Sequence, residues 1–169
     1  GIDCSTASID QLLGAIEKIG EANQKGQFRR FTGNDYTTDL AKGNIAIALA
    51  YSGDLVQLQS DNPDLRFTYF EEGNVAFNDN LMMPAKVEHP YAAETMFNYL
   101  YEPEVAAKLA AYVNYISPVK GAKEELAKTD PELAANTLIF PSEETLSSVK
   151  QFDSEALNNE EYIAQWQDV

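Results

Sequence analysis

The 169-residue chain carries 27 acidic against 12 basic side chains, a formal charge of −15, in an otherwise ordinary composition of 44% hydrophobic and 23% charged residues. That length can bury a full hydrophobic core as one domain, while the acidity argues against nucleic acid, which calls for a basic footprint, and against electrostatic docking on anionic lipid. Cys4 is the only cysteine and His89 the only histidine, which excludes an internal disulfide, a thiolate metal cluster and a zinc site built on several histidines.

In chain order, residues 5–19 predict a helix, with Ser8 or Thr6 as cap, Ile9, Leu12, Leu13, Ile16 and Ile19 at helical spacing, and Gly20 as its stop. A polar connection with a short extended piece around Phe28 and Phe31 leads to a second helix at 36–42, closed by Gly43. Residues 45–51 are apolar at every position, as a strand buried on both faces of a parallel sheet requires. Ser52 and Gly53 form its turn, a helix follows at 55–60, and further strands are expected at 65–70 and 75–83. Helices are then predicted at 90–101 and 103–112, short helical turns at 123–127 and 131–136, and helices at 141–149 and 159–167. Alternating strands and helices give an α/β class. No stretch approaches the ~18–20 apolar residues of a membrane span. The chain opens Gly1-Ile2-Asp3 rather than with Met, so a longer precursor, or a processed leader or tag, is expected before it.

Two short runs set an aromatic beside a carboxylate at the end of an expected strand. In the first, Tyr51-Ser52-Gly53-Asp54, the pair falls where open α/β sheets bind ligands, outside the strand's carboxyl end. Tyr51 finishing the core and Asp54 capping the next helix is an equally good account of the same residues. In the second, Phe77 and Asp79 are two apart on an expected strand and so share a face. A half-exposed edge strand is the competing account there. Tyr115, before Ser117-Pro118, either places a hydroxyl in a cleft or anchors the rim of a turn. An aromatic face with an acid suits a small organic cation, through the ring quadrupole and the opposite charge, and the net acidity would concentrate such a ligand. Acidity also simply keeps a protein soluble. His89, between Glu88 and Pro90, reads as an exposed turn histidine rather than a triad member. The Glu pairs at 71–72, 124–125, 143–144 and 160–161 read as solvated turns and helix starts, with nothing that specifies paired-carboxylate hydrolysis.

Several words of the sequence form an ordered series: Phe31-Thr32-Gly33-Asn34-Asp35-Tyr36, Asp39-Leu40-Ala41-Lys42-Gly43-Asn44-Ile45, Ala50-Tyr51-Ser52-Gly53-Asp54, Glu71-Glu72-Gly73, Asp79-Asn80-Leu81-Met82-Met83-Pro84-Ala85, Pro103-Glu104-Val105-Ala106 and Tyr115-Ile116-Ser117-Pro118. The series resembles the spermidine/putrescine-binding proteins of bacterial polyamine ABC importers, over nearly the whole chain. The resemblance implies a periplasmic-binding-protein-like α/β fold of type II, in which two lobes clamp a polyamine. It also implies a periplasmic or lipoprotein-anchored location, ABC transporter permease subunits as partners, no cofactor and no catalysis. It implies ligand contacts from Tyr51, where the family usually has a tryptophan, and from Asp54, Phe77, Asp79, Tyr115 and Gln151. The match is to the second half of the family sequence, so the chain is expected to be partial and to lack most of the first lobe. Residues 1–76 and 124–169 are then expected in the second lobe, and residues 77–123 in the piece that returns to the first. A chain left so would expose a strand edge and a helix face, and would associate or exchange segments with a second copy. The alternatives are a solute-binding protein for an amino acid, a sugar or thiamine, and more remotely a carboxylate-pair hydrolase.

Overall fold

A computed structural model of the chain describes residues 2–151 and 158–169. In chain order these form α1 (Ile9–Gln24), α2 (Tyr36–Ala41), α3 (Ser52–Leu58), β1 (Asn74–Val75), α4 (Pro90–Leu100), α5 (Pro103–Val113), α6 (Ala122–Ala127), α7 (Pro131–Ala134), α8 (Glu143–Ser148), β2 (Val149–Lys150) and α9 (Glu160–Gln167). The chain divides into two compact units, the first made of Gly1–Gly33, Tyr69–Asn78 and Ser147–Val169, the second of Asn34–Thr68 and Asp79–Leu146.

The first unit is organised around α1. Ser8 closes a capping box: its hydroxyl accepts the Gln11 N–H at 3.3 Å, and the Gln11 side chain accepts the Ser8 N–H at 2.9 Å. Leu12 and Ile16 are buried one turn apart. The helix runs through Gly20 and ends only before Gly26, whose φ of +70° supplies the left-handed turn that stops it. A single glycine inside a helix weakens it by roughly 1 kcal/mol without ending it, so the expected stop at Gly20 gives way. Helix α9, capped by the Asn159 carboxamide accepting the Tyr162 N–H at 3.0 Å, packs on α1. The Asn23 amide donates to the Val169 carbonyl at 2.8 Å. Strands β1 and β2 pair in parallel, Asn74 opposite Val149 and Val75 opposite Lys150. Lys150 also reaches Asp3 at 3.0 Å. Asp3 is held down at about 2, first by the Ser5 hydroxyl and N–H and then by Lys150.

In the second unit, small residues let three helices approach closely. Ala107 of α5, Leu126 of α6 and Ala134 of α7 are buried together, with Ala111, Leu133 and Phe140 packed against them. Pro103 begins α5, and Asn114 ends it in the left-handed conformation at φ 60°. Helices α2 and α3 bury Tyr36, Leu40 and Leu55. The Gln57 amide donates to the Val113 carbonyl at 3.1 Å, tying α3 to the end of α5.

The strands depart most from expectation. The described residues hold one sheet of two residues per strand. Residues 45–51 form no strand; instead Ile47 is 90% and Leu49 83% exposed. Residues 65–70 form none either, and the strand expected over 75–83 ends at Val75. A helix closes its hydrogen bonds within itself, whereas a strand exists only where another strand lies alongside. An apolar pattern without that neighbour remains extended sequence and not sheet.

Candidate functional site

The polar cluster of the second unit forms around Asp54. Tyr51 is the extended N-cap of α3 and Asp54 lies in the helix's first turn. The Tyr36 hydroxyl, carried by the first residue of α2, donates to Asp54 Oδ2 at 2.6 Å. The Tyr115 hydroxyl, just beyond α5, donates to Asp54 Oδ1 at 2.7 Å. The Tyr51 N–H donates to the Tyr36 oxygen at 3.0 Å. Tyr36 is 4% exposed, whereas Tyr51 is 45% exposed. The Tyr115 ring sits over Gly53: a Cβ on that buried glycine would lie 2.5 Å from Tyr115 Cδ2 and Cε2.

The electrostatics follow from this packing. Burial first, then the hydrogen bond to Asp54, push the Tyr36 hydroxyl up to about 12. The Tyr115 hydroxyl is raised for the same two reasons in the same order. Both phenols therefore stay neutral donors at physiological pH. Each carboxylate oxygen accepts one of them, and two oxygens offer about four acceptor positions, so the acid has capacity left for a further donor.

Of the residues singled out in the sequence, Tyr51, Asp54 and Tyr115 come together here. Phe77 belongs to the first unit and is 60% exposed. Asp79 opens a segment of the second unit and is exposed, and Gln151 lies exposed just after β2. Because no strand continues past Val75, the shared-face argument for Phe77 and Asp79 has no strand to rest on. A groove of about 710 Å³ lies on the first unit along α1 and α9, lined by Leu13, Glu17, Gly20 and Asp168 among others, and contains none of these six residues.

Two members of the cluster are not among the residues expected to form the site: Tyr36 and Gly53 stand in the sequence as the start of a short helix, as a turn, and as parts of the ordered series. The usable signal was the position of Tyr36 on the inward face with Leu40, since a buried tyrosine hydroxyl requires a partner.

Residues 7–140 match the profile of the bacterial extracellular solute-binding protein family. The chain belongs to this family. Its relatives include the putrescine-binding periplasmic protein SpuD of Pseudomonas aeruginosa, 29% identical over 131 residues that make up 72% of this chain and 34% of the relative. The putrescine-binding periplasmic protein PotF of Escherichia coli is 30% identical over 119 residues, 67% of this chain and 31% of the relative. A spermidine/putrescine-binding periplasmic protein of Salmonella typhimurium is 23% identical over 117 residues, 69% and 33% respectively. The matched region thus spans about a third of the length of these relatives. The family and these relatives are named for solute binding and not for catalysis. No described helix is long and apolar enough to cross a membrane.

Proposed function

We propose that this chain supplies the acid-and-tyrosine wall of an extracytoplasmic polyamine-binding protein that delivers putrescine or spermidine to an ABC importer. The observation that carries the reading is Asp54, a carboxylate held on both oxygens by neutral phenols and lying one helical turn after the exposed Tyr51. An acid held by Lys or Arg would have its charge spent. Held by phenols it keeps that charge for an ammonium, while an aromatic face suits the adjoining methylenes. Three relatives named for putrescine or spermidine support the ligand class.

In the whole protein, Phe77, Asp79, Tyr115 and Gln151 join Tyr51 and Asp54 as ligand contacts, and the fold is the type II clamp of two lobes, of which this chain lacks most of the first. The protein works outside the cytoplasm, in the periplasm or anchored as a lipoprotein, and hands its ligand to permease subunits. Affinity in such clamps comes from enclosing most of the ligand between preplaced groups. The chain alone should therefore bind on the order of millimolar, weak enough to need a residue-resolved method.

Amide chemical shifts on titration with putrescine test this. Tyr51, Gly53 and Asp54 are expected to shift and saturate with putrescine, to stay unmoved by 1,4-butanediol of the same length, and to lose the response in Asp54→Asn. Equal shifts with the uncharged diol, or a stronger response to an amino acid or a sugar, would remove the polyamine reading.

A further inference from the structure

The start of α3 departs from the usual capping arrangement in one informative way. In a capping box, the third helical residue reaches back with its side chain to the N–H of the N-cap residue. Helix α1 does this directly, with the Gln11 side chain accepting the Ser8 N–H at 2.9 Å. In α3 the corresponding groups are the Asp54 carboxylate and the Tyr51 N–H, and a third group stands between them. Tyr51 N–H donates to the Tyr36 oxygen at 3.0 Å, and the Tyr36 O–H donates to Asp54 Oδ2 at 2.6 Å. The bridge comes from a different helix, α2, and from a side chain buried to 4% exposure.

A phenol has one proton to give. Here that proton is directed to Asp54, and the oxygen's acceptor capacity is used by Tyr51. The carboxylate and the backbone of the residue that carries the exposed ring are thus both tied to the Tyr36 oxygen, while Tyr115 holds the other carboxylate oxygen. Among the described residues no Lys or Arg forms an ion pair with Asp54. A direct cap would set the acid against its own helix; the bridge sets it against α2 and adds no charge.

We infer that Tyr36 is a positioning residue of the cation site: its buried hydroxyl fixes the Asp54 carboxylate and the Tyr51 backbone in one arrangement and leaves the carboxylate's charge for the ligand. The inference rests on Asp54 being the ammonium-binding acid proposed above. Tyr36 touches no ligand in this account. It acts by removing alternative rotamers of the acid before the ligand arrives, which is the preorganisation a small flexible cation requires.

Tyr36→Phe keeps the ring and its burial and deletes the bridge. Two properties of the ligand-free protein are read by NMR: Asp54 Hα–Hβ couplings, which report its side-chain rotamer, and exchange of the Tyr51 amide with solvent. The substitution is expected to average the couplings, speed Tyr51 exchange about tenfold, and weaken the putrescine response of Tyr51 and Asp54 about tenfold, the scale of one hydrogen bond to a charged group. A purely structural role would lower the melting temperature while the couplings and the putrescine response, measured well below melting, stay as in the unsubstituted chain; that result overturns the inference. If the unsubstituted chain ignores putrescine and the ligand-free changes still appear in Tyr36→Phe, the polyamine reading fails and takes the cation-site role with it, while the fixing of Asp54 and the Tyr51 backbone by Tyr36 stands. If Tyr36→Phe does not fold, the unsubstituted chain decides: a Tyr51 amide that exchanges as fast as an unbonded loop amide rules the bridge out, and a protected one supports it.

Discussion

Gly53 shows how a residue without a side chain can determine a site. It is buried, and its backbone needs no left-handed conformation; what requires glycine is the Tyr115 ring, which occupies the space a Cβ would take. That ring seat is also what delivers the Tyr115 hydroxyl to Asp54 Oδ1. In Gly53→Ala either the ring leaves or α3 shifts, because atoms cannot approach to 2.5 Å. Overpacking of this kind destabilises by about 1–3 kcal/mol. Urea denaturation should show that loss together with altered Tyr115 ring resonances, and unchanged stability with unmoved resonances would refute the steric account. Part of this site was legible in the sequence, because Tyr51, Ser52, Gly53 and Asp54 are consecutive and the aromatic–acid word is visible as written. Tyr36 lies 15 positions before Tyr51, and Tyr115 lies 61 beyond Asp54. No local pattern joins residues that far apart, since only the packing of α2 and the turn after α5 brings their hydroxyls to one carboxylate.

At the level of elements, helices were readable and strands were not, for a reason that the helix ends make plain. Helices α1, α4, α5, α7 and α9 carry their own boundary signals, although α1 starts and ends later than expected: Ser8 with Gln11 for α1, Pro90 for α4, Pro103 and Asn114 for α5, Asp130 accepting the Leu133 N–H at 2.8 Å for α7, and Asn159 for α9. These satisfy orphan backbone groups with neighbours in sequence, so a local reading finds them. The run at 45–51 has no such local closure. Its apolar residues specify burial on two faces, but which strand lies beside it is a long-range matter that the run itself does not encode. Helix α4 makes the same point in reverse, forming with good local signals while burying none of its residues. Local capping therefore should contribute measurably to α1. Ser8→Ala removes the acceptor for the Gln11 N–H and is expected to lower stability by about 1 kcal/mol. Ser8→Asp, which can accept the same N–H, should restore most of it. Equal melting curves for the Ala and Asp variants would show that the box adds nothing.

For the whole molecule, the decisive opposition is between exposed apolar surface and net charge. Ile47 and Leu49 stand exposed in an uncharged, proline-free run from 45 to 51, and Leu81, Met82, Tyr91, Met96 and Tyr112 are exposed elsewhere in the second unit. A run of that kind is what pairs edge to edge with another chain. Against this stands a formal charge of −15, which makes two copies repel. The relative range of the two effects predicts the behaviour. Repulsion between solvent-exposed charges fades beyond a Debye length, about 30 Å at 0.01 M salt but about 8 Å at 0.15 M, whereas burial of apolar area does not weaken with salt in this range. The 169-residue chain should therefore be mostly monomeric at low ionic strength and associate increasingly as salt rises, with light scattering climbing with both salt and protein concentration. Ile47→Lys with Leu49→Lys lowers the net charge to −13 on paper, which by charge alone would favour association. It also destroys the apolar edge, as lysine does on natural edge strands. The two accounts thus predict opposite directions for one variant. Reduced association in the double variant at moderate salt identifies residues 45–51 as the contact. Unchanged or stronger association would place the contact elsewhere, and a monomer at every salt concentration would show that the exposed run forms no contact between copies.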